Sequence, residues 1–202
     1  ETLLGVGKND SDVREKFLKI LKIESSRISS LVNDLLSLTR IERIEHTPPD
    51  TVVEMIDLLK DAINVSLTSH KIDKRMIKFF TKKNEVKVPG DYNELKQVFI
   101  NIIDNSLKYG MSKKPLEIRL EDNKQMIKVT VQDFGQGIKV EDIPMLTNRF
   151  FRADQSRPRD FGSTGLGLSI VKHILNRHKT QINIESEVGK GSKFSVEFLK
   201  AF

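Results

Sequence analysis

The sequence predicts an α+β protein: a long bundle-type helix, then a two-layer α/β sandwich whose mixed, mostly antiparallel sheet carries helices on one face. Three observations predict it. Residues 10–45 contain neither Pro nor Gly and repeat apolar residues at alternating spacings of three and four. Four later runs alternate apolar and polar residues at period two, in pairs joined by polar or glycine-bearing turns. The segments between them have helical periodicity, and such helices bury their apolar stripe by covering one face of a sheet.

The long helix comes first. Phe17, Leu21, Ile28, Leu31, Leu35 and Leu38 keep the heptad spacing, broken only at Glu24, while Ile20, Val32, Leu36 and Ile41 widen the stripe. An Asn/Asp/Ser cluster at its start supplies caps. A helix of about ten turns cannot bury this face alone. Residues 1–9, with Gly5 and Gly7, read as the end of a preceding helix and a turn. A helical hairpin that pairs with a second copy into a four-helix bundle satisfies the pattern.

Pro48-Pro49 ends the helix, because Pro blocks continuation and restricts the residue before it. A domain boundary is expected there: residues 1–46 as part of the hairpin, 47–50 as linker, 51–202 as the second domain. In that domain residues 53–69 read as an amphipathic helix, and residues 76–80 and 86–88 as strands. Pro89-Gly90 is a turn into a further helix. Residues 116–120 and 127–131 form an alternating pair around a polar turn at Asp122-Asn123. Residues 182–186 and 194–198 form another, around Gly189-Lys190-Gly191, and residues 166–178 are helical.

Bulk composition narrows the function. The chain has 34 Lys+Arg against 28 Asp+Glu, net +6. The basic residues are scattered among the acids rather than gathered, so no nucleic-acid partner is expected. With no Cys there are neither disulfides nor thiolate metal sites, as suits a reducing compartment. No apolar run approaches the roughly 20 residues that cross a membrane. The start, Glu1-Thr2-Leu3-Leu4, is no signal peptide and reads as the middle of a longer protein.

Three stretches carry the chemistry. On a wheel at about 100° per residue, Leu95, Val98, Phe99, Ile102, Ile103 and Leu107 share one apolar face, and Asn101, Asn105 and Lys108 form a stripe along its edge. An amide oxygen suits a hard, partly hydrated Mg²⁺, and an ammonium suits phosphate. Asp133-x-Gly135-x-Gly137 closes a strand. A carboxylate fixed there accepts from an exocyclic amine, adenine being the obvious candidate, while a flat ring lies against the glycine backbone. Gly162-Ser163-Thr164-Gly165-Leu166-Gly167 enters a helix whose N–H groups and positive dipole end suit polyphosphate. It lacks the Gly-Lys-Ser/Thr of a P-loop. Between the glycine stretches, Arg149-Phe150-Phe151-Arg152 and the polar run 153–161 read as a lid, with Arg152 able to reach a terminal phosphate. Taken singly, each stretch also has a plain structural reading as a solvated helix edge, a turn or a helix-entry loop.

In this order the stretches resemble the sensor histidine kinases of two-component systems, members of the GHKL (Bergerat-fold) ATPase superfamily. The resemblance runs through the whole chain. It implies that residues 1–45 are the later part of a dimerisation and phosphotransfer hairpin and that the rest is the catalytic ATP-binding domain. It further implies that Asn101 and Asn105 match the N box, with Asn105 the Mg²⁺ ligand. Lys108 matches its phosphate-side residue and Tyr109 its nucleotide-side residue. Asp133, Gly135 and Gly137 match the first glycine box, whose Asp reads adenine. Phe150, Phe151 and Arg152 match the F box. Gly162, Thr164, Gly165, Leu166 and Gly167 belong to the second glycine box, and Gly189 and Gly191 match the closing turn. Asn101, Lys108 and Arg152 are then the catalytic set, ATP and Mg²⁺ the cofactors. The implied partners are a response-regulator receiver domain and a second copy of the chain. The chain would be the cytoplasmic portion of a parent anchored in the bacterial inner membrane.

Three departures accompany the resemblance. The phosphoaccepting His in its His-Glu/Asp-x-x-Thr/Asn-Pro setting is absent, so the fragment alone is expected to be inactive in autophosphorylation. Phe151 stands where Tyr is common, and Lys179-Thr180 where Gly-Gly is. His46, before Thr47-Pro48-Pro49, lacks the acidic neighbour of the phosphosite and ends the helix. His70, His173 and His178 show no metal-ligand spacing. The superfamily's ATP hydrolysers carry Glu where this chain has Asn101, and a carboxamide takes no proton from water at neutral pH. Two alternatives stay open: an anti-sigma-type serine kinase of the same superfamily, and a nucleotide-binding scaffold without kinase activity.

Overall fold

The computed structural model describes residues 10–110, 112–123, 125–153 and 164–201. The expectations for residues 1–9, for Gly162 and for nearly all of the run 153–161 lie outside the described residues.

Helix α1 (Ser11–Ile44) is 34 residues long and is capped by Asp10, whose Oδ1 accepts from the N–H groups of Asp12 and Val13 at 2.9 and 3.1 Å. A two-stranded antiparallel sheet follows, β1 (Val52–Glu54) on β3 (Lys87–Pro89) with Val53 opposite Val88. Here the sequence expectation needs correcting. The helix expected from residue 53 is α2 (Met55–His70), and the residues before it are strand. Glu54 decides the boundary: its Oε2 accepts from Asp57 N at 2.7 Å and caps the helix, while its Oε1 accepts from Val86 N at 2.8 Å.

The main sheet has five strands in the order β2 (Ile77–Thr81), β4 (Leu116–Asn123), β5 (Met126–Gln132), β7 (Gly191–Leu199), β6 (Ile182–Glu187). The β2–β4 pair is parallel and the other three are antiparallel. The period-two pairs form hairpins β4–β5 and β6–β7. The first is longer than expected: Asn123 pairs with Met126, so Asp122-Asn123 lies within the strand. Ile118, Leu120, Ile127, Val129, Val131, Phe194, Val196 and Phe198 are buried. The alternate residues bear charge, as where Lys128 Nζ meets Glu197 Oε1 at 2.9 Å.

Three helices cover the inner face: α2, α3 (Tyr92–Tyr109) and α4 (Gly167–Arg177). Every apolar residue expected on the core side of α3 is buried, and the Phe99 ring sits 6.4 Å from that of Phe198. Each such side chain contributes roughly 1.5–3 kcal/mol of hydrophobic free energy. The start of α3 is fixed from two sides. Asp91 Oδ1 accepts from Asn93 N and Glu94 N, and Asp91 N–H donates to His178 Nε2 at 3.0 Å.

The far end of α1 lies on α4. Leu38 and Ile41 join the core, Glu45 binds His173 Nδ1 at 2.6 Å and Asn176 Nδ2 at 2.8 Å, and Arg177 donates to the Thr47 carbonyl. Leu31 is partly buried against the core, while Leu21, Ile28, Leu35 and Leu36 are exposed.

Candidate functional site

A cavity of about 250 Å³ opens between α3, α4, the chain after β5 and the middle of α1. The α3 stripe forms one wall: Asn101, Asp104, Asn105, Lys108 and Tyr109 all line it. Of these, Asn101 Nδ2 donates to the Gly167 carbonyl at 3.3 Å, tying the stripe to the first turn of α4. Neither Asn105 nor Lys108 has a hydrogen-bond or ion-pair partner among the described residues, and the same holds for Arg152 on the opposite rim. An uncommitted carboxamide and two uncommitted cations therefore converge on one space.

Asp133 stands at the other end of the cavity. It is 4% exposed. Its Oδ1 accepts from Gly135 N and Ser192 N, each at 3.1 Å, and its N–H donates to the Ser192 carbonyl. No backbone N–H among the described residues donates to Oδ2. Burial raises the carboxyl pKa above the ordinary Asp range, and the backbone N–H groups of Gly135 and Ser192, with the Ser192 hydroxyl, work against that rise. The pocket is built by close backbone approach. A Cβ on Gly135 would lie 2.5 Å from Gly110 Cα, and one on Gly191 would overlap the Asp133 carbonyl. Gly110, which caps α3, leaves room for the Asp133 side chain itself.

The loop ahead of α4 closes the cavity with Thr164, Gly165 and Gly167. Leu166 N–H donates to Thr164 Oγ1 at 3.2 Å. Leu166 is fully buried and not among the lining residues, and Gly135, also off the lining, packs against Gly110. Phe150 is not among the lining residues either. At φ +61° its backbone turns back, its N–H donates to the Gly165 carbonyl, and 60% of the residue is exposed. Phe151 lines the cavity instead.

The sequence reading missed several lining residues: Ser192, Asp104, and Ser30 and Asp34 of α1. Only Ser192 had a signal, following the Gly189/Gly191 turn. Asp34 reaches the site through tertiary packing, where Thr164 Oγ1 donates to it at 2.7 Å.

Chemically, the cavity offers a buried acceptor at one end and a carboxamide with two cations at the other, fitting a base-plus-polyphosphate ligand. It also suits a hydrated hard cation. No group of three or more His, Cys, Asp or Glu residues able to hold a metal exists among the described residues. A cation here would rest on the Asn105 amide oxygen and on ligand oxygens, as Mg²⁺ does in phosphate sites.

The profile of the histidine kinase-, DNA gyrase B- and HSP90-like ATPases matches residues 90–201, which hold the α3 stripe, Asp133 and the α4 loop. The chain belongs to that family. Among its relatives, the phosphate regulon sensor protein PhoR of Pseudomonas aeruginosa is 34% identical over 204 residues, covering all of this chain and 45% of PhoR. The signal transduction histidine-protein kinase ArlS of Staphylococcus aureus is 35% identical over 195 residues, 95% of this chain and 42% of ArlS. The chain thus spans less than half the length of these relatives. Among solved structures, the catalytic domain of histidine kinase ThkA aligns with TM-score 0.62 and 27% identity, over 74% of this chain and 95% of that one. The Acinetobacter baumannii histidine kinase AdeS aligns over 99% of this chain and 92% of its own, with TM-score 0.70 and 22% identity, a likeness of fold. The α+β architecture of this ATPase family is the Bergerat fold, and the chain is homologous to sensor histidine kinases. No described helix is long and apolar enough to cross a membrane.

Proposed function

We propose that this ATPase-family chain is the ATP-binding catalytic portion of a sensor histidine kinase. It passes the γ-phosphoryl group of ATP to a histidine outside this chain and thence to an aspartate of a response-regulator receiver domain. One observation carries the reading: the buried Asp133, whose two backbone donors both go to Oδ1, lines the same cavity as Asn105, Lys108 and Arg152, which have no partner among the described residues.

Asp133 Oδ2 accepts from the exocyclic amine of adenine, with the Gly137 backbone beside the ring and Tyr109 along the nucleotide. Lys108 and Arg152 take the phosphates, and the N–H groups at the start of α4, from Gly165 to Gly167, add their dipole. Asn105 holds Mg²⁺, which when bound supplies charge neutralisation along the polyphosphate. Asn101 is held by the Gly167 carbonyl and, as a carboxamide, cannot deprotonate water, so the site protects the γ-phosphate for another nucleophile. Catalysis is positioning and electrostatics.

The remaining parts follow the same reading. Residues 1–46 are part of a dimerisation hairpin, 47–50 a linker and 51–202 the catalytic domain. The exposed row Leu21, Ile28, Leu35 and Leu36 on α1 takes the equivalent helix of a second copy. The parent is anchored in a membrane by segments outside this chain.

Calorimetry with a non-hydrolysable ATP analogue tests the core of the proposal. Binding in Mg²⁺ is expected for the wild-type chain. Asp133→Asn should lose about ten- to a hundredfold, since its amide presents a donor to a donor. Asn105→Ala should lose the metal-dependent part with the fold unchanged. Labelled ATP given together with an intact hairpin from the parent should label its histidine. No uptake by the wild-type chain refutes the reading.

A further inference from the structure

The α3 wall contains a residue that the proposed function leaves unused. Ser66 on α2 is fully buried, and its Oγ donates to Asp104 Oδ1 at 2.7 Å; His70 Nε2 lies 3.2 Å from the same oxygen. This is no hydrolase relay, because the serine's partner is the carboxylate rather than the imidazole and nothing removes its proton. The arrangement holds the carboxylate by one oxygen from the α2 side. Asp104 nevertheless lines the cavity beside Asn101, Asn105 and Lys108, and its Oδ2 has no donor among the described residues. Lys108 lies one helical turn further along, yet the two form no ion pair. A fixed negative charge thus faces a space whose other groups suit polyphosphate. Such a charge weakens binding of a bare polyanion and favours one that arrives with a cation.

We infer that Asp104 positions the hydrated divalent cation that accompanies the nucleotide, with Ser66 and His70 holding its carboxylate for that task. The free oxygen accepts from water on the cation beside Asn105, as carboxylates around metal sites do. Asp104 is a positioning residue: it acts through the water and the cation. The inference rests on the nucleotide reading above.

The test is calorimetric and needs no turnover. Affinity for a non-hydrolysable ATP analogue is measured in Mg²⁺ and in EDTA, and the ratio of the two dissociation constants reports the metal's contribution. In Asp104→Asn, which keeps an acceptor for Ser66, the ratio should fall about tenfold, with affinity in EDTA unchanged or improved. The double variant Ser66→Ala/His70→Gln retains the charge but frees it, and should lower the ratio by less. A wild-type ratio in Asp104→Asn overturns the inference while leaving the nucleotide site standing. Should that variant not fold, a wild-type ratio in the double variant does the same. No binding by the wild-type chain in either buffer overturns both.

Discussion

Thr164 Oγ1 donates to Asp34 Oδ2 at 2.7 Å, joining the loop before α4 to the long helix across 130 positions of sequence. On the other flank of residues 154–163, Arg149 pairs with Glu42 of the same helix. Helix α1 therefore holds the described residues that flank 154–163 on both sides, and with Ser30 and Asp34 it forms one wall of the cavity. At about 250 Å³ the cavity sits just below the roughly 300 Å³ at which ligand sites usually begin. On the proposed nucleotide reading, Ser30 and Asp34 of the docked helix take up part of the space the ligand would use.

Asp34→Ala is accordingly expected to tighten nucleotide binding roughly three- to tenfold, by removing one hydrogen bond to the loop and one negative charge from the cavity wall. Calorimetry of the variant against wild type checks it. Equal or weaker binding means that α1 does not oppose the ligand.

Gly191 and Gly189 both have positive φ, +105° and +84°, but only Gly191 faces a neighbour. A Cβ there would overlap the Asp133 carbonyl and lie 2.7 Å from Phe134 Cα, whereas one on Gly189 meets nothing within 4 Å. Gly191→Ala should cost about 2–4 kcal/mol and Gly189→Ala about 1 kcal/mol. Thermal melts will rank them, with Gly191→Ala lower by about 5–10 °C. Equal melting temperatures would show that the close approach at Asp133 carries no strain.

His178 accepts from Asp91 N–H through Nε2, and its Nδ1 is 2.8 Å from the Ile174 carbonyl, so the native ring is neutral with its proton on Nδ1. Burial pushes its pKa below the ordinary 6.5. Above pH 6.5 both folded and unfolded rings are neutral and nothing is lost. Below it the unfolded chain takes up a proton that the folded one refuses, so stability falls as pH falls, by about 1.4 kcal/mol per unit, until the folded pKa is reached. Urea titrations at pH 7.5 and 5.5 should show this loss, and a His178→Gln variant should show a shallower one. Identical slopes in the two chains would remove His178 from the account.

Leu38 is 2% exposed where α1 meets α4. Leu38→Ala should release the end of α1, at a cost of about 2–4 kcal/mol to that contact, and leave the sheet and its helices folded. Hydrogen exchange should then quicken across residues 30–45 and in the first turn of α4, but not in β5 or β7. Uniform quickening would mean that α1 and the sheet domain unfold as one unit.

Much of the site was legible because its parts repeat at short range. The stripe Asn101, Asn105 and Lys108 is set by helical spacing, so its meeting on one wall needed only α3 to form. Asp133 was legible as the end of an alternating strand. Phe150, at φ +61°, is 60% exposed and off the cavity lining while Phe151 lines it, a difference that an F-F dipeptide does not mark. The start of α2 was misjudged because Glu54 serves two backbone donors, and its Val86 contact is 32 residues away.

By itself the sequence determined the long helix, the two hairpins, the apolar face of α3 and the order of the glycine stretches, since periodicity and turn chemistry act between near neighbours. The tertiary structure alone decided which loose groups share the cavity. The seat of Asp133 against Gly110 and Ser192, the anchoring of Asp104 by Ser66 and His70, and the reach of Asp34 to Thr164 each join residues far apart in the chain. Only packing against a common core sets such distances, and no local pattern encodes them.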